Sequence, residues 1–256
     1  MSCASLMVTD PLNSLRRSWR EPRRRMNGKG KPMESRLDQV IHDLKIYLEY
    51  LRRMGIEALP FSPLSQSTLE EVRAQLGDCK RCKLHRTRKT LVFGEGNDKA
   101  ILMLIGEGPG YEEDVQGRPF VGKAGQLLTK IIQSIHLDRE EIYIANIVKC
   151  RPPQNRNPAS DEISACRPFL LEQIQAIQPR IICALGTFAA QSLLQTAEKI
   201  SALRGRVFDF HGIRVIPTYH PAFLLRNPER KKEVWEDMKR IACWLKEFDV
   251  SVSRKD

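Results

Sequence analysis

The chain has 256 residues, 41% of them hydrophobic, which suits one large α/β domain with an extension, and no apolar run approaches the ~18 residues of a helical membrane span. Its 42 Lys and Arg against 31 Asp and Glu leave a formal charge of +11, a balance that fits a polyanionic partner, nucleic acid first. Seven cysteines without a secretion leader predict a reduced, cytoplasmic protein that does not associate with membranes.

Residues 1–33 carry eight Lys or Arg against Asp10 and Glu21. That composition predicts a basic disordered tail, or a start placed too far upstream. A helical extension and linker follow over 34–72. Leu37, Val40, Ile41, Leu44, Leu48 and Leu51 recur at helical spacing through Arg53, a packing or partner surface whose partner the sequence does not name. Gly55 ends that helix, and Pro60 and Pro63 mark a linker. A short helix over about 67–76 leads into a main domain expected at 73–248, with a tail at 249–256.

That domain opens on Cys79-Lys80-Arg81-Cys82. Cys150 follows Cys82 by 68 positions and Cys166 follows Cys150 by 16. Lys80, Arg81, Lys83, Lys149, Arg151 and Arg167 flank the four, and nearby cations favour the thiolate that binds metals. A metal group here would staple three distant segments. A structural zinc more often uses two C-x-x-C pairs, and His85 is a weaker fourth ligand for it. Cys3 falls in the tail, whereas Cys183 and Cys243 read as core.

Strand and helix then alternate. Strands are predicted over 100–105, 142–148 and 180–185. Helices are predicted over 122–136 and 159–177, after Gly186, and over 228–248. The segments 207–210 and 213–217 flank His211-Gly212 and read as a hairpin or two short strands. Alternation of this kind predicts a parallel sheet covered on both faces. Its ligand would bind beyond the carboxyl ends of the strands, at the loops 106–110, 149–157 and 218–226.

Four motifs along this domain carry chemistry. Gly106-Glu107-Gly108-Pro109-Gly110 lacks the lysine of a phosphate loop; its glycines permit close backbone approach and Glu107 is placed to hold a water. Glu112 and Glu113 read as solvated acids. Gly117-Arg118-Pro119-Phe120-Val121-Gly122 presents Phe120, either as a stacking platform for a base or as a buried staple for the next helix. Asn146 interrupts an apolar strand, so its amide must bond a base edge or a neighbouring loop. Tyr219-His220-Pro221-Ala222-Phe223-Leu224-Leu225-Arg226 offers His220 as an oxyanion donor and two leucines as a wedge for a base stack.

In this order and with these cysteines, the segments resemble the family 4, iron–sulfur branch of the uracil-DNA glycosylases, over about residues 73–247. The resemblance implies a three-layer α/β/α sandwich around a four-stranded parallel sheet, and one [4Fe-4S] cluster on Cys79, Cys82, Cys150 and Cys166. It implies a monomer acting on uracil in double- or single-stranded DNA. Phe120 would stack on the flipped base, Asn146 would bond its Watson–Crick edge, His220 would stabilise charge on O2, and Glu107 would position water. Gly106 belongs to the same motif, Gly108, Pro109 and Gly110 would press on the DNA backbone, and Leu224, Leu225 and Arg226 would enter the minor groove. A branch that bonds covalently to its abasic product has a histidine-containing insertion after the Phe120 segment. Here Gly125 runs straight into Gln126, so turnover is expected. A non-catalytic zinc-stapled DNA-binding module and a cluster-bearing redox protein are the rival readings.

Overall fold

The computed structural model describes residues 36–53 and 67–248. The basic tail, Cys3, Gly55, the proline linker and the segment 249–256 lie outside the described residues. The chain divides into two compact units, Met1–Ser65 and Gln66–Asp256. In the first, the described part is helix α1 (Arg36–Arg53), as its periodicity predicts. Val40, Ile41 and Leu44 on it are exposed.

The second unit starts with α2 (Leu69–Leu76). Thr68 caps it, bonding the Glu71 amide while the Glu71 carboxylate returns to the Thr68 amide, an arrangement worth about 1 kcal/mol. Strands β1 (Glu95–Gly96) and β2 (Leu102–Gly106) come next, followed by helices α3 (Tyr111–Gln116) and α4 (Lys123–Gln133). Strand β3 (Tyr143–Asn146), helix α5 (Ser160–Ile177) and strand β4 (Ile181–Leu185) follow. Helices α6 (Thr187–Leu194) and α7 (Ile200–Leu203) lead to the hairpin β5 (Phe208–Phe210) and β6 (Ile213–Thr218). Helices α8 (Pro221–Arg226) and α9 (Lys231–Glu247) close the unit.

The sheet has six strands in the order β1-β3-β2-β4-β6-β5. Its four central strands run parallel, as expected. Beyond that expectation, the short strands β1 and β5 pair antiparallel at the two edges. Strands β2, β3 and β4 are buried along their whole length, so alternate residues serve opposite cores. Leu104, Ile144, Cys183 and Ile216 face α4 and α9 through Leu128, Ile132, Met238 and Ile241. Met103, Ile105, Ala145, Ile182 and Val215 face α5, α6 and α7 through Leu170, Ile174, Ala190 and Leu203. This is the three-layer sandwich. Cys183 is core, as read; Cys243 is only half-buried.

From β2 the chain crosses to β3 on one side, whereas from β4 it proceeds to β6 on the other. Doubly wound sheets open a crevice at that divergence, beyond the strands' carboxyl ends. Gly106 pairs with Asn146, and Leu185 with Thr218. The sheet register therefore delivers the loop after Gly106, the Asn146 side chain and His220 to one edge.

Candidate active site

A cleft of about 490 Å³ opens at that edge. Glu107, Gly108, Pro109, Gly110, Phe120, Asn146, His220 and Arg226 all line it. Gly106 lies beneath it. A Cβ at Gly106 would run into the Asn146 carboxamide oxygen and the Phe120 ring, so glycine is what lets those two side chains meet.

Asn146 ends β3 and is 2% exposed. Its carboxamide oxygen is buried with no hydrogen-bond partner. Such an acceptor costs stability unless something fills its lone pairs, and it borders the cleft. Phe120 is 6% exposed and joins the core beneath the cleft. Its ring centroid lies 5.5 Å from that of His220 at an interplanar angle of 34°. It is thus both the buried staple and the cleft wall. Its backbone has a left-handed φ of 53°. Arg139 holds that turn by donating to the carbonyls of Phe120 (3.0 Å) and Pro119 (2.8 Å) while pairing with Glu95 (2.6 Å).

His220 caps α8, its Nδ1 accepting from the Ala222 amide at 3.1 Å. The ring proton therefore sits on Nε2. Burial, helped by the positive Arg226, lowers the imidazole's pKa to about 4, so the ring is a neutral donor at physiological pH. Gly186, at the end of β4, has φ +90° and would bring a Cβ to 3.0 Å from the His220 Cβ. Strand β6 beneath is fixed by Thr218 donating to Asp237 at 2.7 Å, with Arg204 on the other carboxylate oxygen at 2.9 Å. Glu107 is desolvated, which raises its pKa to about 7.

Two expectations are corrected. Leu224 is 0% exposed and belongs to the core on the α4 and α9 side of the sheet, because the short helix α8 turns it inward. It has no access to DNA. Leu225, 46% exposed, and the exposed Arg226 are the outward pair. Glu113 is not solvated: one oxygen accepts from the Val121 and Gly122 amides, each at 2.9 Å, and the other from Gly110 at 3.1 Å. It ties the 106–110 loop to the Phe120 loop. The Glu113 role had a faint signal, an acid three residues after the glycine that precedes a helix.

The four cysteines also come together. Cys79, Cys82, Cys150 and Cys166 line a second, small cavity, and all are free thiols. Among the described residues, no three His, Cys, Asp or Glu side chains converge as a single ion requires. The four thiols instead face one small space, and four cysteines are the ligand set that an iron–sulfur cluster uses. His85 turns away, its Nδ1 2.7 Å from the Cys82 carbonyl. Three N–H groups point at the sulfurs: Arg81 at Cys79 (3.4 Å), Arg88 at Cys150 (3.1 Å) and the Lys149 amide at Cys166 (3.3 Å). Such bonds stabilise ligated thiolates. The flanking cations are not enough on their own. Burial pushes the Cys150 thiol up to about 11 despite Arg88, and raises Cys166 as well. Nothing in the spacing singles out Arg88.

A doubly wound α/β fold with an aromatic ring, an unpaired carboxamide oxygen and a neutral imidazole at its switch point has the features that suit a planar polar ring. Residues 93–239 match the Uracil DNA glycosylase superfamily, and the chain belongs to that superfamily, in its type-4 branch. It is 41% identical to the type-4 uracil-DNA glycosylase of Archaeoglobus fulgidus, over 68% of this chain and 92% of the relative. Identity is 44% to the type-4 enzyme of Thermotoga maritima, over 71% and 96%. It is 45% to that of Saccharolobus solfataricus, over 68% and 84%.

Proposed function

We propose that the protein is a monofunctional uracil-DNA glycosylase, which takes uracil out of the DNA stack and hydrolyses its N-glycosidic bond, leaving an abasic site. The observation that carries this reading is the buried, unpaired carboxamide oxygen of Asn146 at the cleft wall. Uracil presents N3–H to it and O4 to the amide nitrogen. Cytosine presents a bare N3 instead, and two acceptors face to face leave a buried group unsatisfied. Phe120 offers its ring face to the base, which favours any extruded pyrimidine by ~1–3 kcal/mol.

As the glycosidic bond breaks, negative charge collects on the leaving uracil. The Nε2–H of neutral His220 donates to O2 in that role. A neutral donor stabilises the anion without handing over a full positive charge to be desolvated beforehand. Glu107, ionised above about pH 7, orients the water that attacks C1′ and accepts its proton. Leu225 and Arg226 occupy the space the base vacates, and Gly108, Pro109 and Gly110 bear on the phosphate backbone. Extrusion costs a few kcal/mol, least for a mispaired base, which favours uracil opposite guanine.

Cys79, Cys82, Cys150 and Cys166 would hold a [4Fe-4S] cluster, which would supply a cross-link among the segment after α2, the segment after β3, and α5. The four-thiol cavity and its three N–H donors support that ligand set. Iron content and the thiolate-to-iron visible absorption of the purified protein read it directly. For the activity, release of free base from oligonucleotides carrying a single uracil or cytosine opposite guanine is the test. Uracil release alone is expected; equal release of cytosine would remove Asn146 as the reader.

A further inference from the structure

Lys149 lines the cysteine cavity and is absent from the walls of the base cleft. It is 0% exposed, an unusual place for a lysine. Its Nζ donates to the Asn146 carbonyl at 2.9 Å and to the Gln173 side-chain oxygen at 2.5 Å. Its own amide donates to the Cys166 sulfur, and its carbonyl accepts from the Val92 amide at 2.8 Å. Gln173 stands on α5, two turns after Cys166, and donates onward to the Phe93 carbonyl and the Tyr143 hydroxyl. Cys150 follows Lys149 directly in the chain.

The need for this contact arises at the end of β3. Past Asn146 the backbone leaves the parallel ladder: Ile147 and Val148 donate to the Gly106 and Glu107 carbonyls. The Asn146 carbonyl is buried there, and a buried carbonyl needs a donor. An apolar side chain at 149 would fill the space but leave that oxygen bare. Lysine reaches back three residues to it and spans to α5 in the same stroke.

We infer that Lys149 is a positioning residue for base excision: it locks the strand end that aims Asn146 to the helix that carries Cys166, so that the cysteine cavity and the base cleft keep one register. The inference rests on the proposed reading of Asn146. Its mechanical content is that the peptide of Asn146 is held on one side by Lys149, while the side chain, on the other, presents its unpaired oxygen to the cleft. A small rotation of that peptide swings the amide off the base edge, and misplacement on the order of 1 Å costs up to about 100-fold in rate.

The test is a double-mutant cycle in the full chain with its metal site loaded. Lys149→Met keeps the length and removes the donor. Single-turnover excision of uracil should fall at least about tenfold. Affinity for DNA carrying the abasic product, where no base is left to read, should stay within about twofold, and free uracil should bind more weakly by calorimetry. In an Asn146→Ala background the same substitution should change the rate by less than about twofold, because the residue it aims is gone. An equal loss in both backgrounds, or a matching loss of abasic-DNA affinity, would overturn the inference and leave Lys149 a purely structural group. If Lys149→Met does not accumulate as folded protein, Gln173→Met removes the acceptor at the other end of the same contact and carries the same expectations. Failure of the parent protein to release uracil would instead count against the proposed function, so the two failures are distinguishable.

Discussion

At the scale of single residues, the proposed reaction divides its chemistry among Asn146, His220 and Glu107 by their environments. Asn146→Ala removes the base-edge contact and should cost at least ~2 kcal/mol of transition-state stabilisation in kcat/KM; excision near that of the parent would remove it from the mechanism. The pH dependence follows from the desolvated Glu107. Its pKa of about 7 in the folded chain means the active carboxylate appears as pH rises, so the single-turnover rate should climb between about pH 6 and pH 8. His220, held near 4 by burial, is already neutral across that window and adds no second limb. Glu107→Gln should abolish the rise; a parent profile flat from pH 6 to 8 would show that Glu107 does not titrate in the reaction. The same shift has a stability sign. Between its ordinary value of 4.5 and about 7 the folded state binds more protons than the unfolded, so this group's contribution to stability falls as pH rises through that range.

At the scale of elements, the site depends on how loops are tied to the sheet edge. Glu113 is the tie between the 106–110 loop and the Phe120 loop, with three backbone N–H groups on one carboxylate. Glu113→Ala leaves those donors without an acceptor and should cost about 2–4 kcal/mol of folding stability, along with excision. Glu113→Gln keeps the oxygen that serves Val121 and Gly122 and should cost about 1 kcal/mol. Equal destabilisation by the two variants, read from denaturant midpoints, would show that shape rather than hydrogen bonding matters there. The sequence made the long elements legible because their apolar periods are strong: α4, α5 and α9 fall within a few residues of their expected bounds. The missed elements are short. Helix α3 owes its existence to the Glu113 tie, and α8 to the His220 cap and the proline that follows it. Strand β1 is two residues long. No period can form over such lengths, and without α8 the sequence does not show that Leu224 faces the core.

At the scale of the whole molecule, the proposed metal-ligand set of Cys79, Cys82, Cys150 and Cys166 would join three segments far apart in the chain. A group bound only by the folded state stabilises it by its binding free energy. Removing the metal by chelation, or substituting Cys166→Ser, should therefore lower the melting temperature and weaken the visible absorption together; a melting temperature unmoved by loss of iron would show that the cysteines do not staple the fold. The cysteine set was legible because its spacing is unusual, and the cleft was legible because its residues fall on strand ends. The ties between them were not. Arg88, Lys149 and Gln173 are ordinary residues in sequence, and only the packing of α5 against the end of β3 gives them a role.

The most direct measurement is alkali-dependent strand cleavage of a labelled oligonucleotide with one uracil, using iron-replete protein. A monofunctional glycosylase gives a break at the uracil position that appears only after alkali treatment and is lost in the Asn146→Ala/His220→Ala double variant. No alkali-labile site, a break without alkali, or undiminished cleavage by the double variant would contradict a monofunctional glycosylase built on these two residues.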